Sequence, residues 1–136
     1  MTDEINSLLE WTIFYVKNKD IIRKEIKDYK ILKNYIDFDY GNRKHTYYMQ
    51  PTLDEETIKL SENGITTIVC LNKKENLNFI VSNWDKLTKN KTFSIIFTHP
   101  KLNQRWIIYP YTHNSVTEKA SLKLGLQTLF EQIPHA

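Results

Sequence analysis

Two short β-branched and aromatic runs, separated by a stretch with helical spacing, set the tightest limit on what this chain can fold into. The first is Ile65-Thr66-Thr67-Ile68-Val69-Cys70-Leu71, bounded by Gly64 and Asn72; the second is Phe93-Ser94-Ile95-Ile96-Phe97. Between them Leu77, Ile80, Val81, Trp84 and Leu87 fall on one helical face. A helix between two strands of one sheet makes a crossover, which joins parallel strands and is right-handed. Trp106-Ile107-Ile108-Tyr109 follows the second run after a short reversal at 99–105, so it returns antiparallel. The expected class is therefore α/β, with a mixed parallel and antiparallel sheet flanked by helices. At 136 residues and 40% hydrophobic content, one α/β domain spanning 1–136 can bury a sizeable core.

The remainder of the chain extends this plan. Ile5, Leu8, Leu9, Thr12, Ile13 and Val16 form a helical stripe, widened by Trp11 and Tyr15. Thr2 is its expected cap, with Asp3 and Glu4 at the favourable end of the helix dipole, and the helix is expected to end near Asn18. Residues 20–34 suit either a longer helix or a strand near Glu25 to Leu32. Tyr35-Ile36-Asp37-Phe38-Asp39-Tyr40 alternates at period two, Gly41-Asn42 turns the chain, and His45-Thr46-Tyr47-Tyr48-Met49 is again extended. The expected order is α-β-β-β-α-β-α-β-β-α.

Three capping boxes are expected to mark helix starts: Thr52 with Glu55, Asn72 with Glu75, and Ser115 with Glu118. The middle helix is expected over 75–89. The last is expected to run from Ser115 to Pro134, with Leu122, Leu126, Leu129 and Ile133 on a face broadened by Ala120, Leu124 and Phe130. So wide an arc suits a sheet or a partner surface. Gly125, inside that helix, costs about 1 kcal/mol relative to Ala; close approach of another backbone would explain it, and an incidental Gly explains it equally well.

Several function classes find no support in the motifs. Three scattered glycines cannot form a G-x-G-x-x-G or G-x-x-x-x-G-K-[ST] phosphate loop. One cysteine cannot make an internal disulfide. No apolar run approaches the ~20 residues of a membrane span, and Met1-Thr2-Asp3-Glu4 is acidic where a secretory leader is basic. The expectation is a cytoplasmic protein with no membrane association.

The first six elements, α-β-β-β-α-β, resemble the order of restriction-endonuclease-like nucleases over about half of the chain. The resemblance implies a metal-binding acid on the second strand, where Asp37 or Asp39 stands, and an acid-x-Lys pair on the third. The third strand departs from that pattern: Thr46-Tyr47-Tyr48-Met49-Gln50-Pro51 holds neither acid nor lysine. A divalent metal is expected only under this alternative, a divergent metal-dependent nuclease using Asp37 or Asp39 and His99. The plainer reading of Asp37 and Asp39 is the solvated face of a strand opposite Ile36 and Phe38.

Open α/β sheets bind ligands beyond the carboxyl ends of their parallel strands, which directs attention to Cys70, Asn72, Thr98 and His99. His99 suits general acid–base chemistry near neutral pH. Cys70, His99 and His113 are zinc-ligand types, but no short ligand spacing joins them, so no metal site and no resident cofactor is assigned.

The last signal is electrostatic. No Asp or Glu occurs between Lys86 and Thr117, while Lys86, Lys89, Lys91, Lys101 and Arg105 do. The loop carrying Lys101, Asn103, Gln104, Arg105 and Trp106 combines cations, amides and an aromatic, the types that hold phosphate and stack on bases. Solvated lysines on a sheet edge, with Trp106 in the core, explain the same pattern. The leading expectation is a small non-catalytic binding domain. Its partner is nucleic acid through that loop or a protein through the last helix, with a homodimer as a further form.

Overall fold

The computed structural model describes residues 3–136. The expected cap Thr2 lies outside them. The chain runs α1 (Asp3–Asp20), β1 (Asp28–Ile31), β2 (Tyr35–Asp39), β3 (Lys44–Met49), α2 (Glu55–Leu60), β4 (Thr66–Leu71), α3 (Lys74–Ser82) and α4 (Trp84–Leu87). It continues with β5 (Phe93–His99), a 3-10 turn (Pro100–Leu102), β6 (Gln104–Ile108), α5 (Pro110–Val116) and α6 (Lys119–Glu131). The expected strand and helix order is the one observed, with the middle and last helices each divided in two.

The six strands form one sheet in the order β1-β2-β3-β4-β5-β6. β3, β4 and β5 are parallel to one another, and the β1–β2, β2–β3 and β5–β6 pairs are antiparallel. Each face carries its own core. On one, α1 lays Leu8, Leu9, Trp11, Tyr15 and Val16 over Ile36, Phe38, Tyr47, Met49, Val69 and Ile96. On the other, Leu77, Ile80, Trp84, Leu87, Leu126 and Phe130 cover Ile68, Cys70, Phe93, Ile95, Phe97, Trp106 and Ile108. Central β4 is buried at every position, as its unbroken β-branched run requires of a strand covered on both faces.

Residues 20–34 resolve into the end of a helix, a reversal and an edge strand. α1 runs on to Asp20. The amide of Lys24, in a left-handed conformation (φ 51°), donates to the Asp20 carbonyl at 2.7 Å. The Asp20 carboxylate accepts from the amides of Glu25 (2.8 Å) and Ile26 (3.1 Å). One acidic side chain thus closes the helix and aims the chain into β1.

None of the three expected capping boxes forms. α2 begins two residues later than expected, capped by Asp54. The Asp54 carboxylate accepts from Glu56 N (2.9 Å), and Thr57 Oγ1 accepts from Asp54 N (3.1 Å). Thr52 instead bonds Lys73 Nζ, and the Leu53 amide is taken by Asn76 Oδ1, so the chain is tied down before it can coil. Lys73, not Asn72, precedes α3, and no side chain caps it. Asn72 is fully buried, and its amide extends strand pairing to the Thr98 carbonyl at 3.0 Å. Ser115 lies inside α5, where its hydroxyl donates to the Tyr111 carbonyl. That helix starts at Pro110, a residue suited to the first helical turn because its missing N–H is not needed there. Asn83 separates α3 from α4, its side chain donating to the Phe79 carbonyl at 2.9 Å. The apolar arc of α6 is narrower than expected: Leu126 and Phe130 are buried, while Leu124 is 70% exposed. A Cβ built on Gly125 would meet nothing within 4 Å among the described residues, so no backbone of theirs approaches it.

Candidate binding cleft

The main polar feature of the α1 face lies at the amino ends of the parallel strands. His45, Thr67 and Ser94 are each the second residue of their strand, on β3, β4 and β5. Thr67 and Ser94 are register partners, and His45 sits diagonally from Thr67. Their side chains form a continuous hydrogen-bonded row: His45 Nε2 to Thr67 Oγ1 at 2.7 Å, and Thr67 Oγ1 to Ser94 Oγ at 2.8 Å. Thr67 and Ser94 are buried. The His45 ring stacks on Tyr47 with centroids 4.3 Å apart.

Two chambers open over this row and share Lys19, His45 and Tyr47. The larger, about 450 Å³, is walled by the end of α1 and the β2–β3 turn, through Asp20, Arg23, Glu25, Tyr40 and Arg43. The smaller, about 220 Å³, is walled by Tyr15, Ile96, Ile107 and Tyr109 above the Thr67 and Ser94 hydroxyls, with Lys91 at its edge.

The electrostatics follow from this placement. Burial first, and then the nearby Lys19 and Arg43 cations, together lower the His45 pKa to about 4. The imidazole is therefore neutral at pH 7, with one ring nitrogen donating and the other accepting. Burial also raises the Tyr47 phenol, which stays protonated. The carboxylates of the larger chamber are already engaged: Asp20 with the two amides described above, and Glu25 with Arg43 at 3.6 Å. Lys19 lies over the Tyr15 ring at 5.0 Å and Arg105 lies over the same ring at 4.6 Å.

The residues singled out from sequence are distributed differently. Strand alternation puts Arg105 on the α1 face and Trp106 on the other, so the two cannot grip one base together. Trp106 is buried, stacked on Phe97 (4.2 Å) and bonded to Asn72, which makes it a core residue. Asn103 accepts from Trp11 Nε1 at 2.9 Å. The Gln104 carbonyl accepts from Thr98 Oγ1 at 2.8 Å. Lys101 is exposed beside α1, near Trp11 and Phe14. The loop is thus largely fastened to its own fold.

Asp37 and Asp39 lie on the β2 face turned away from α1. Asp37 accepts from the Thr46 hydroxyl across the strand pair (2.7 Å), and Asp39 accepts from the Gly41 amide in the turn (2.8 Å). At the carboxyl ends of β4 and β5, His99 lines a cavity of about 330 Å³ with Asp3, Glu4, Ser7 and Leu71. Its buried Nδ1 has no hydrogen-bond partner among the described residues. Cys70 packs in the core between the sheet and α3, with its thiol pKa raised by burial. His113 Nδ1 bonds the Tyr109 backbone in the first turn of α5.

Sequence reasoning missed the cleft because it looked to the carboxyl ends of the strands. His45, Thr67 and Ser94 share no spacing motif, since three strands contribute one residue each. The available signal was a small hydroxyl residue, Thr67 or Ser94, inside a strand otherwise built for burial. Compared with protein-family models, curated proteins and solved structures, the chain matches none.

Proposed function

We propose that the protein acts by binding, and that its ligand carries phosphate in the manner of single-stranded nucleic acid and nucleotides. The observation that supports this reading is the excess of cations around two adjoining chambers: Lys19, Arg23 and Arg43 outnumber Asp20 and Glu25 around the larger, and Lys91 edges the smaller, which has no carboxylate in its lining. Cations around a recessed, partly desolvated floor attract anions more strongly than cations spread on an open surface. The neutral row of His45, Thr67 and Ser94 beneath them supplies donors and acceptors without adding charge. His45 has a hydroxyl partner and, among the described residues, no carboxylate bonded to its ring, which suits recognition better than general base chemistry.

Binding of short single-stranded RNA and DNA to the intact protein across a salt series tests the reading. The expected affinity falls as salt rises, by about 0.7 log unit per log unit of salt for each phosphate contacted. Lys19→Ala and Arg43→Ala each weaken binding and flatten that slope, while Lys101→Ala, outside the cleft, leaves both unchanged. Absence of binding at low salt, or binding indifferent to both cleft substitutions, would overturn it.

A further inference from the structure

We infer that the cleft seats one nucleotide as a unit, its phosphate outward between Lys19 and Arg43 and its base inward in the smaller chamber. This rests on the phosphate-ligand reading above and adds the group that the second chamber accepts.

The two chambers share Lys19, His45 and Tyr47, so one ligand can occupy both. Their chemistries differ. The outer chamber holds Asp20, Arg23, Glu25 and Arg43; the inner one has tyrosine and isoleucine walls over a floor of two hydroxyls, with Lys19 shared and Lys91 at its edge. A ligand that suits both is anionic at one end and flat, uncharged and edge-polar at the other.

The size and polarity of the inner chamber narrow the class. At about 220 Å³ it falls below the ~300–1,000 Å³ typical of sites for drug-sized ligands, so it admits a single ring system. Its floor is polar but partly self-satisfied: with His45 Nε2 donating along the row, Thr67 gives its proton to Ser94 and the Ser94 O–H is left for a ligand, while lone pairs on the hydroxyls accept. A nucleobase edge, which mixes carbonyls, ring nitrogens and amines, finds complements there. A fatty chain would leave the hydroxyls unmatched. The exposed ring of Tyr109 supplies the aromatic contact on which bases are held without sequence preference, while Tyr15, already stacked on Trp11 and covered by Lys19 and Arg105, serves as wall.

Calorimetric titration of the intact protein at low salt and pH 7.5 with inorganic phosphate, ribose 5-phosphate, UMP and AMP tests this. The expected result is weak, similar binding of phosphate and ribose 5-phosphate, with at least one mononucleotide about tenfold tighter, the equivalent of one good extra interaction. Ser94→Ala is expected to remove most of that gain and leave ribose 5-phosphate binding unchanged; the retained binding shows that the variant is folded. Equal affinity for ribose 5-phosphate and both mononucleotides in the unaltered protein would overturn the base-in-chamber arrangement while leaving the phosphate reading intact. Failure of every ligand, inorganic phosphate included, would overturn both.

Discussion

The indole Nε1 of Trp106 donates to Asn72 Oδ1 across 2.7 Å, inside the core between the sheet and α6. The other end of the same amide spans to the chain's last turn, with Asn72 Nδ2 3.2–3.3 Å from the carbonyls of Phe130, Ile133 and Pro134. One buried side chain therefore ties β6 and the end of α6 to the end of β4. Asn72→Ala strands the indole N–H and several carbonyls without solvent, and is expected to cost about 2–3 kcal/mol. Urea unfolding of Asn72→Ala, Trp106→Phe and the double variant checks it. The expected double variant is less destabilised than the sum of the singles, because the second change removes a donor that the first left unmatched. Simple additivity would mean that the two side chains act independently.

Asn72 also shows where sequence reasoning reaches and where it stops. β4 and β5 were legible because unbroken β-branched and aromatic runs between turn residues have few other uses. β2 and β3 were legible from alternation around Gly41. Helix starts were not, because Ser, Thr, Asn and Asp accept bonds from whatever donor tertiary structure brings near. Asn72 is paired by Trp106, 34 positions away, and Thr52 by Lys73, 21 positions away. Local spacing contains neither partner. The cleft was hidden for the same reason, since its floor is assembled across β3, β4 and β5.

His45 is expected to give the protein a stability term that fades in mild acid. Its folded pKa is about 4, below the ordinary value of 6.5. Between these two values the unfolded chain binds more protons than the folded one, so stability rises with pH across that window. The contribution is complete above about pH 6.5 and is lost as pH falls toward 4. The unfolding midpoint of His45→Gln should therefore fall less than that of the unaltered protein between pH 7 and pH 5. An NMR titration of the His45 ring should show no inflection near pH 6.5; one found there would contradict the burial described.

β1 is an edge strand, and its exposed backbone is partly shielded by its own side chain. The Asp28 carboxylate accepts from the amide of Tyr29 at 2.8 Å. The Leu32 amide reaches the Tyr35 carbonyl, and antiparallel alternation from that bond turns the Tyr29 amide outward. Asp28→Ala frees that donor and removes a charge from the edge, which promotes strand-to-strand pairing between molecules. Sedimentation velocity over a concentration series should show more self-association for the variant than for the unaltered protein.

Gly125 sits inside α6 with open space where a side chain would be. Gly125→Ala is expected to stabilise the protein by about 0.5–1 kcal/mol, through helix propensity and reduced freedom of the unfolded chain. A higher urea midpoint with an unchanged slope checks it.

The spatial order of the strands has a consequence for how the chain is made. Each strand lies beside the one synthesised just before it, so pairing can follow translation. The β1–β2–β3 meander can close while later residues are still inside the ribosome, and each parallel strand then adds to an edge already waiting for it. No early strand is held back for a partner from the far end, so loop closures stay short. α1 is the exception. It precedes all six strands, yet its apolar stripe rests on β2, β3, β4 and β5, so it waits longest for its complete seat. A nascent chain arrested before β4 would carry that stripe only partly covered, the stage at which a chaperone has most to hold.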